Sequence, residues 1–273
     1  MLIPVRIACG ALLMAFSLAA LAAPSAELWA RWDKSSANKV AIDHADWNEF
    51  LGKYVKPGSD GLNRVAYGKV SADDRARLAA YLKRMQDVKP TKFARAEQRA
   101  YWINLYNATT VSTVLEHYPV ESILKINISP GLFAKGPWKK KLLAIEGEDV
   151  SLDDIEHRIL RPIWKDPRTH YSVNCASVGC PNLAATAYTA GNMEQMLEAG
   201  ARAYVNSPRG AKMDGGKLVV SSIYVWFQGD FGGDAAGVIA HLKKYAEPAL
   251  AKKLSGVSRI GGDVYDWTLN DAR

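Results

Sequence analysis

Cysteine is scarce in this sequence, and this scarcity limits the kinds of site that the chain can build. Only 3 of its 273 residues are cysteine, and Cys9 lies in an apolar stretch at the start of the chain. Cys175 and Cys180 remain. Because no spacing typical of a zinc site surrounds them, we expect no metal ion.

Nucleotide and nucleic-acid motifs are also missing. The glycines are scattered as turn residues and form no phosphate-binding loop, so no cofactor is predicted. The formal net charge is +7, yet the longest basic run is Lys139-Lys140-Lys141. A basic balance of this kind bears on solubility and non-specific association. We therefore expect no nucleic-acid partner.

A long, apolar and uncharged stretch lies at the start of the chain. Ile7–Ala23 follows Arg6 and contains the small-residue pattern Ala20-Leu21-Ala22. A basic start, an apolar centre and small residues are typical of a secretory signal peptide, and the stretch is shorter than the roughly 20 residues that span a bilayer. We expect a signal peptide over 1–22, a periplasmic or secreted protein, and no stable membrane insertion after signal cleavage.

The composition of the rest predicts one compact domain over 23–273. Hydrophobic residues make up 48% and charged residues 23%, which is close to globular averages and sufficient for a sizeable core. Helical periodicity dominates, and two short hairpins are predicted near residues 141–152 and 211–221. The expected fold class is α+β, a mostly helical single domain with a small antiparallel sheet.

The helix predicted from about Ala94 to His117 carries polar residues on its apolar face. Asn104 and Asn107 fall on the same arc as Ile103 and Val111. A buried polar group left unpaired costs about 1–3 kcal/mol, so these amides need partners. They either hold neighbouring backbone or face a site cavity, and the pattern leaves both open.

A second helix has a similar feature. Ser151-Leu152-Asp153-Asp154 fits a capping box at its start. Glu156 then lies between Leu152 and Leu160 on the apolar arc, with His157 at its edge. A buried carboxylate needs a partner or a raised pKa. Glu156 is either structural or a base or orienting group in a cleft; its candidate partners in the first case are Arg158, Arg161 and Arg168.

Most residues capable of nucleophilic chemistry lie in Asp166–Leu183. Alternation predicts a strand over Thr169–Cys175, with His170, Ser172 and Asn174 on one face. The chain then enters the turn 176–181, whose backbone N–H groups are expected to bind an anion or an oxyanion.

Two interpretations of Cys175 follow. In the first, its thiol is a nucleophile with His170 or His157 as base, and Glu156, Asn104 or Asn107 orients the imidazole, as in acyl transfer. In the second, Cys175 and Cys180 form a local disulfide, which suits an oxidising compartment. A metal site built from His157, His170, a cysteine and Glu156 ranks last.

Four ordered motifs resemble a known family. They read YWINLYNATTV, SLDDIEHRIL, DPRTHYSVNCASVGCPNL and IYVWFQGDFGG. Over about Phe93–Leu242 the chain resembles the bacterial and plant family called domain of unknown function 547. The resemblance implies a shared polar set: Asn104, Asn107, Glu156, His157, Arg168, His170, Asn174, Cys175 and Cys180. A weaker similarity links the chain to papain-like and transglutaminase-like thiol enzymes.

The sequence therefore predicts two alternative functions of different classes. The first is a thiol-dependent hydrolase or acyl transferase acting on a peptide, amide or small acyl substrate in the cell envelope. Its predicted catalytic residues are Cys175, His170, His157 and Glu156, and its predicted substrate-binding residues are Asn104, Asn107, Arg168, Asn174 and Cys180. The second is a non-catalytic periplasmic domain that binds a ligand or partner, with a structural Cys175–Cys180 disulfide. In either case the expected ligand is a small molecule or a peptide.

Overall fold

A computed structural model describes residues 25–132 and 134–272. The predicted signal peptide lies outside these ranges. Within them, no helix is both long and apolar enough to cross a bilayer.

Helices dominate the described chain, which confirms the α+β, mostly helical fold class. The α-helices are α1 Ala45–Tyr54, α2 Ala72–Asp87, α3 Arg95–His117, α4 Arg161–Trp164, α5 Met193–Val205, α6 Ser222–Trp226, α7 Ala235–Tyr245 and α8 Pro248–Leu254. A π-helix spans Asp154–Leu160 and runs directly into α4. Short 3-10 helices span Ala30–Trp32, Tyr67–Lys69, Pro90–Lys92, Ile123–Lys125, Pro167–Tyr171 and Gln228–Phe231.

The strands form three small sheets. Their bounds are β1 Val55–Pro57, β2 Asn63–Val65, β3 Lys141–Ile145, β4 Glu148–Ser151, β5 Ala211–Asp214, β6 Lys217–Ser221 and β7 Ile260–Val264. The pairs β1-β2 and β3-β4 are antiparallel hairpins. The third sheet is mixed, because β6 pairs with β5 antiparallel and with β7 parallel. The predicted single antiparallel sheet is thus too simple.

The predicted capping box at Ser151 is present. The Asp154 N–H donates to Ser151 Oγ at 3.1 Å, and the Ser151 N–H donates to Asp154 Oδ2 at 2.8 Å. These reciprocal bonds satisfy helix-start donors that have no intrahelical partner. They also fix where the chain turns from β4 into the π-helix, and therefore where Glu156 lies.

The apolar side chains form two hydrophobic clusters. The larger surrounds α3 and includes Val173 and Ala176, whereas the smaller lies between α5, β6 and α7 and includes Tyr171. The chain therefore crosses from the smaller cluster to the larger between Tyr171 and Val173. Cys175 follows this crossing and lies between Val173 and Ala176 of the larger cluster.

The predicted strand over Thr169–Cys175 is wrong. Pro167–Tyr171 is a 3-10 helix, which begins where the Arg168 N–H donates to Asp166 Oδ1 at 2.9 Å. Proline in the first turn and an aspartate cap favour a helical start. The backbone beyond it is irregular. It pairs with a side chain of α3 instead of with a neighbouring strand.

Candidate functional site

The amide of Asn107 holds the backbone that leads to Cys175. Asn107 Nδ2 donates to the Ser172 carbonyl at 2.8 Å, and the Asn174 N–H donates to Asn107 Oδ1 at 2.8 Å. Asn104 binds the backbone of Tyr188 in the same two-way manner, at 2.7 and 3.0 Å. Of the two interpretations of this polar face, the geometry favours positioning over contact with a substrate.

Asn174 continues this arrangement into the turn. Its Oδ1 accepts the Ala176 N–H at 2.9 Å, and its Nδ2 donates to the Pro181 carbonyl at 2.7 Å. Ala176 has φ of 59°, a left-handed conformation that is strained for a residue with a Cβ. Such strain persists only where the surroundings enforce it, and it concentrates at functional sites. Here it follows Cys175 directly.

The sulfur of Cys175 lies among three hydrogen-bonding groups. Its Sγ is 3.1 Å from Ser177 Oγ, 3.1 Å from Cys180 Sγ and 3.0 Å from Tyr265 OH. Cys175 is half-buried, whereas the residues on either side of it are buried. Both cysteines are free thiols, since the sulfurs are farther apart than the roughly 2.05 Å of an S–S bond. The predicted disulfide is thus absent from the described structure.

These contacts favour the thiolate form of Cys175. The hydrogen bond with Cys180 lowers the pKa of Cys175 most, burial opposes it, and bonds from Ser177 and Tyr265 lower it further. Burial raises the pKa of Cys180 well above its usual value. Cys180 is therefore the thiol that stays protonated. The charge of Glu156 reaches Cys175 and opposes its ionisation.

His170 connects two carboxylates. Its Nε2 is 2.7 Å from Asp230 Oδ2, and its Nδ1 is 3.8 Å from Glu156 Oε1. The imidazole stacks on Phe227 with ring centroids 4.5 Å apart. It is fully enclosed, with 2% of its side chain exposed. His170 is thereby fixed in orientation next to Glu156.

Arg161 links Asp230 to His157. Its Nε donates to Asp230 Oδ2 at 2.6 Å, and its Nη1 is 3.1 Å from His157 Nδ1. Burial lowers the pKa of His157 to about 4, so this imidazole is neutral at pH 7 and accepts from Arg161 through Nδ1. Burial alone would raise the pKa of Asp230, but bonds from His170 and Arg161 outweigh it and lower it to about 2.

Neither imidazole is a hydrogen-bond partner of the Cys175 sulfur in the described structure. The partners of that sulfur are Ser177, Cys180 and Tyr265, and those of the imidazoles are Asp230 and Arg161. A direct thiol–imidazole pair, as the sequence predicted, is not formed. His170 instead lies 3.8 Å from Glu156, whose charge acts on Cys175.

Glu156 and His157 both lie on the π-helix. π-helical turns are rare and frequently mark functional sites, because the widened turn redirects side chains. Asp153, one residue before this helix, brings a second carboxylate close to Glu156. Burial, followed by the charge of Glu156, raises the pKa of Asp153 to about 6. A group with that pKa is suited to proton transfer near neutral pH.

Arg168 is committed to other carboxylates. Its Nη2 donates to Asp166 Oδ2 at 2.8 Å and to Glu194 Oε2 at 2.9 Å. The hydrogen bonds that the Arg168 guanidinium donates to Asp166 raise its pKa further. The structure therefore does not place this predicted substrate-binding residue with Cys175.

The turn after Cys175 has no free row of amides. The N–H groups of Val178, Gly179 and Cys180 donate to the carbonyls of Thr268, Asp266 and Ser177, at 2.8, 2.8 and 3.1 Å. That of Ala176 donates to Asn174. The prediction that these amides bind an oxyanion is wrong, because two of them donate to the C-terminal segment and the other two donate within residues 174–177. Side-chain hydroxyls are the donors that remain near the sulfur.

Comparison with known proteins identifies the segment that contains this site. Residues 90–205 match the model of a family described as "Protein of unknown function, DUF547". The chain carries a DUF547 domain. This finding confirms the resemblance seen in the motifs, although the match ends before the fourth of them. No curated protein and no solved structure matches the chain.

Residues outside the matched range 90–205 also contribute to the site. The Tyr265 ring packs at a tilt against Trp226 and Trp267, with ring centroids 4.8 and 4.6 Å apart, and the Trp138 ring lies 5.8 Å from that of Trp267. All four residues are half-buried. We call this set, Trp138, Trp226, Tyr265 and Trp267, the aromatic wall. Two of its members follow the parallel strands β6 and β7, whose carboxyl ends meet at one edge, where open sheets commonly bind ligands.

Several site residues of the DUF547 domain were missed by sequence reasoning. Asp230 lies within the fourth motif, so a signal for it was present. Asp153 was assigned only to a helix start. Ser177 contacts Cys175 across a turn. Tyr265 contacts Cys175 from 90 positions away in the sequence. No local pattern marks such a distant contact.

A matched pair of variants tests the role of Asn107. Asn107→Ala and Asn104→Ala each remove a buried amide with two backbone bonds, so each should lower the free energy of unfolding by about 2 kcal/mol. Only Asn107→Ala should raise the pKa of Cys175 toward the free-thiol value of about 8.5, because it frees the backbone next to that residue. Ultraviolet absorbance of the thiolate against pH measures this. Equal pKa values in the two variants would contradict the assignment.

Asp153→Asn tests whether the carboxylate pair is unfavourable for folding. The pKa of Asp153 is raised to about 6 in the folded state, so stability is lost as pH rises from about 4 to 6. The neutral amide should therefore raise the free energy of unfolding at pH 7 by up to about 3 kcal/mol and leave it nearly unchanged at pH 3. Urea unfolding at both pH values measures this, with exposed Asp149→Asn as control. Equal stabilisation at both pH values would refute it.

Proposed function

We propose that this DUF547 domain is a thiol-dependent hydrolase or acyl transferase acting on a peptide, amide or small acyl substrate, with Cys175 as nucleophile. The observation that carries this proposal is the sulfur of half-buried Cys175 at a strained turn, with three hydrogen-bonding groups within 3.1 Å. A buried structural cysteine is inert and needs no such surroundings. Cys180 is the internal contrast, since it is buried and its pKa is raised.

In the first step, the Cys175 thiolate attacks the carbonyl carbon and forms a C–S bond. The negative charge moves from sulfur to the carbonyl oxygen. The hydroxyls of Tyr265 and Ser177, at 3.0 and 3.1 Å from the sulfur, then turn from the sulfur to this oxygen. Donors aimed at developing charge are the largest single contribution in many enzymes. Here they take the place of the backbone amides that the turn uses internally.

Collapse of this intermediate breaks the bond to the leaving amine or alcohol, which must take up a proton. Solvent water donates that proton and becomes hydroxide. The hydroxide then takes a proton from the water or amine that cleaves the thioester, and Cys175 leaves as thiolate. His170 lies 3.8 Å from Glu156 and His157 lies 3.9 Å from Asp153, and both act as positioning residues for these carboxylates.

Export to the cell envelope is part of the same proposal. It is supported by the basic residue, apolar stretch and small residues of 1–22. The ligand we propose is a small molecule or a peptide. Nothing in the sequence favours nucleic acid as a partner.

Acetylation of the intact chain by p-nitrophenyl acetate tests the proposal. We expect a burst of about one equivalent of nitrophenol and a single acetyl group on Cys175, seen by intact mass and peptide mapping. Cys175→Ala should abolish both. Tyr265→Phe should slow the burst roughly a hundredfold, because it removes one oxyanion donor.

Cys180→Ala is the matched control. It removes the neighbouring thiol but leaves the nucleophile, so acetylation of Cys175 should persist at a lower rate. Acetyl groups found on Cys180, or equally on lysines of the Cys175→Ala variant, would contradict the proposal. If the wild-type chain reacts only after reduction, the binding domain with a structural disulfide is favoured instead.

A further inference from the structure

The aromatic wall lies against the reactive sulfur. Tyr265 OH contacts Cys175 Sγ at 3.0 Å, and the Tyr265 ring packs on Trp226 and Trp267. Trp138, Trp226 and Trp267 are half-buried and lie together, so their exposed parts form an apolar surface of the kind that marks binding sites on soluble proteins. The wall joins the two hydrophobic clusters, since Trp267 packs on the larger and Trp226 on the smaller. Its position beside Cys175 makes it a surface that a substrate would contact.

In the described part of the chain, no lysine or arginine lies over the face of a ring in the aromatic wall. Elsewhere Lys141 and Arg158 lie over Trp29, at 5.8 and 4.7 Å from the ring centroid. Within residues 25–132 and 134–272, none of the lysine–ring and arginine–ring pairs involves a member of the aromatic wall. Trp226 and Trp267 stack on each other with ring centroids 5.8 Å apart, so a cationic group from outside can bind only the negative ring faces turned away from this stack.

The far end of the wall carries negative charge. The backbone N–H of Asp153 donates to the backbone carbonyl of Trp138 at 3.0 Å, so Asp153 adjoins the wall at this residue, and the charge of Glu156 acts on its carboxylate. In the described parts of the chain, neither carboxylate pairs with a lysine or an arginine; their ionic contacts are His157 at 3.9 Å and His170 at 3.8 Å. His157 is neutral at pH 7. The pair is thus only weakly compensated.

From these contacts we propose that the substrate carries a protonated primary amine, which binds between the aromatic wall and the Asp153–Glu156 carboxylates while its acyl group reaches Cys175. The proposal rests on the proposed function for the reacting group, but the binding itself does not require the reaction. Contacts run without a break from Cys175 through Tyr265 and Trp267 to Trp138 and Asp153. One ligand can therefore reach both ends.

Charge selects this ligand over the alternatives. An anion would meet two carboxylates and the negative faces of the rings. A neutral apolar group would gain contact with the tryptophans but would leave the carboxylates uncompensated. A cation gains both, through a cation–π contact and a charge-assisted hydrogen bond. Exposed Lys139 is a cation of the protein that would compete with the ligand, because its charge partly offsets that of Asp153.

Binding of two matched probes tests the proposal directly. Nα-acetyl-lysine methylamide and Nα-acetyl-norleucine methylamide differ in replacing the terminal ammonium by a methyl group. Isothermal titration of the full chain should show the lysine probe binding about tenfold tighter than the norleucine probe. Cys175→Ala should leave this ratio unchanged. A failure of the acyl chemistry is thereby distinguishable from a failure of the amine site.

Three further variants assign the contacts. Asp153→Asn should bring the affinity for the lysine probe close to that for norleucine, and this variant is expected to fold because it removes an unfavourable charge. Lys139→Ala should tighten binding of the lysine probe alone. Trp267→Leu should weaken both probes. Equal affinity for the two probes in the wild type, no binding of either, or an unchanged ratio in Asp153→Asn would each overturn the proposal.

Discussion

The site depends on one buried hydrogen bond, from the Asn174 N–H to Asn107 Oδ1 at 2.8 Å. It attaches an irregular segment to the rigid helix α3, where a strand ladder would otherwise be needed. Asn174 then enforces the left-handed conformation of Ala176 through its own side chain. Because the backbone on both sides of Cys175 is fixed in this way, the sulfur remains among its three hydrogen-bonding partners. Without the bond between Asn174 and Asn107, the strained turn would relax.

The second constraint is electrostatic. The chain places Asp153 and Glu156 close together beside a neutral His157, although this arrangement disfavours ionisation of Asp153. Natural proteins tolerate such costs chiefly at functional sites, where local rules are broken for chemistry or binding. The salt-linked group of Arg161, Asp230 and His170 shows the opposite case, since there every charge has a partner at 2.7 Å or less. The contrast leaves the carboxylate pair as the less compensated charge of the site.

Sequence periodicity predicted the long helix α3, the capping box at Ser151 and the burial of Asn107 and Glu156, because each depends on neighbours within a few positions. It mistook the 3-10 helix before Cys175 for a strand, since alternation over a few residues cannot reveal a side chain of α3 replacing a ladder. It did not find Tyr265, whose contact with Cys175 depends on parallel pairing between β6 and β7. Tertiary contacts of this kind leave no local pattern.

The ionisation state of Cys175 tests the account most directly. Intact chain purified without reductant would be alkylated with iodoacetamide across pH 5 to 9, and the modified residue located by peptide mapping. We predict that Cys175 alone reacts and that the pH dependence of its alkylation rate gives a pKa well below the free-thiol value of about 8.5. Reaction of neither cysteine before reduction would contradict it. So would a Cys175 that titrates like an ordinary thiol.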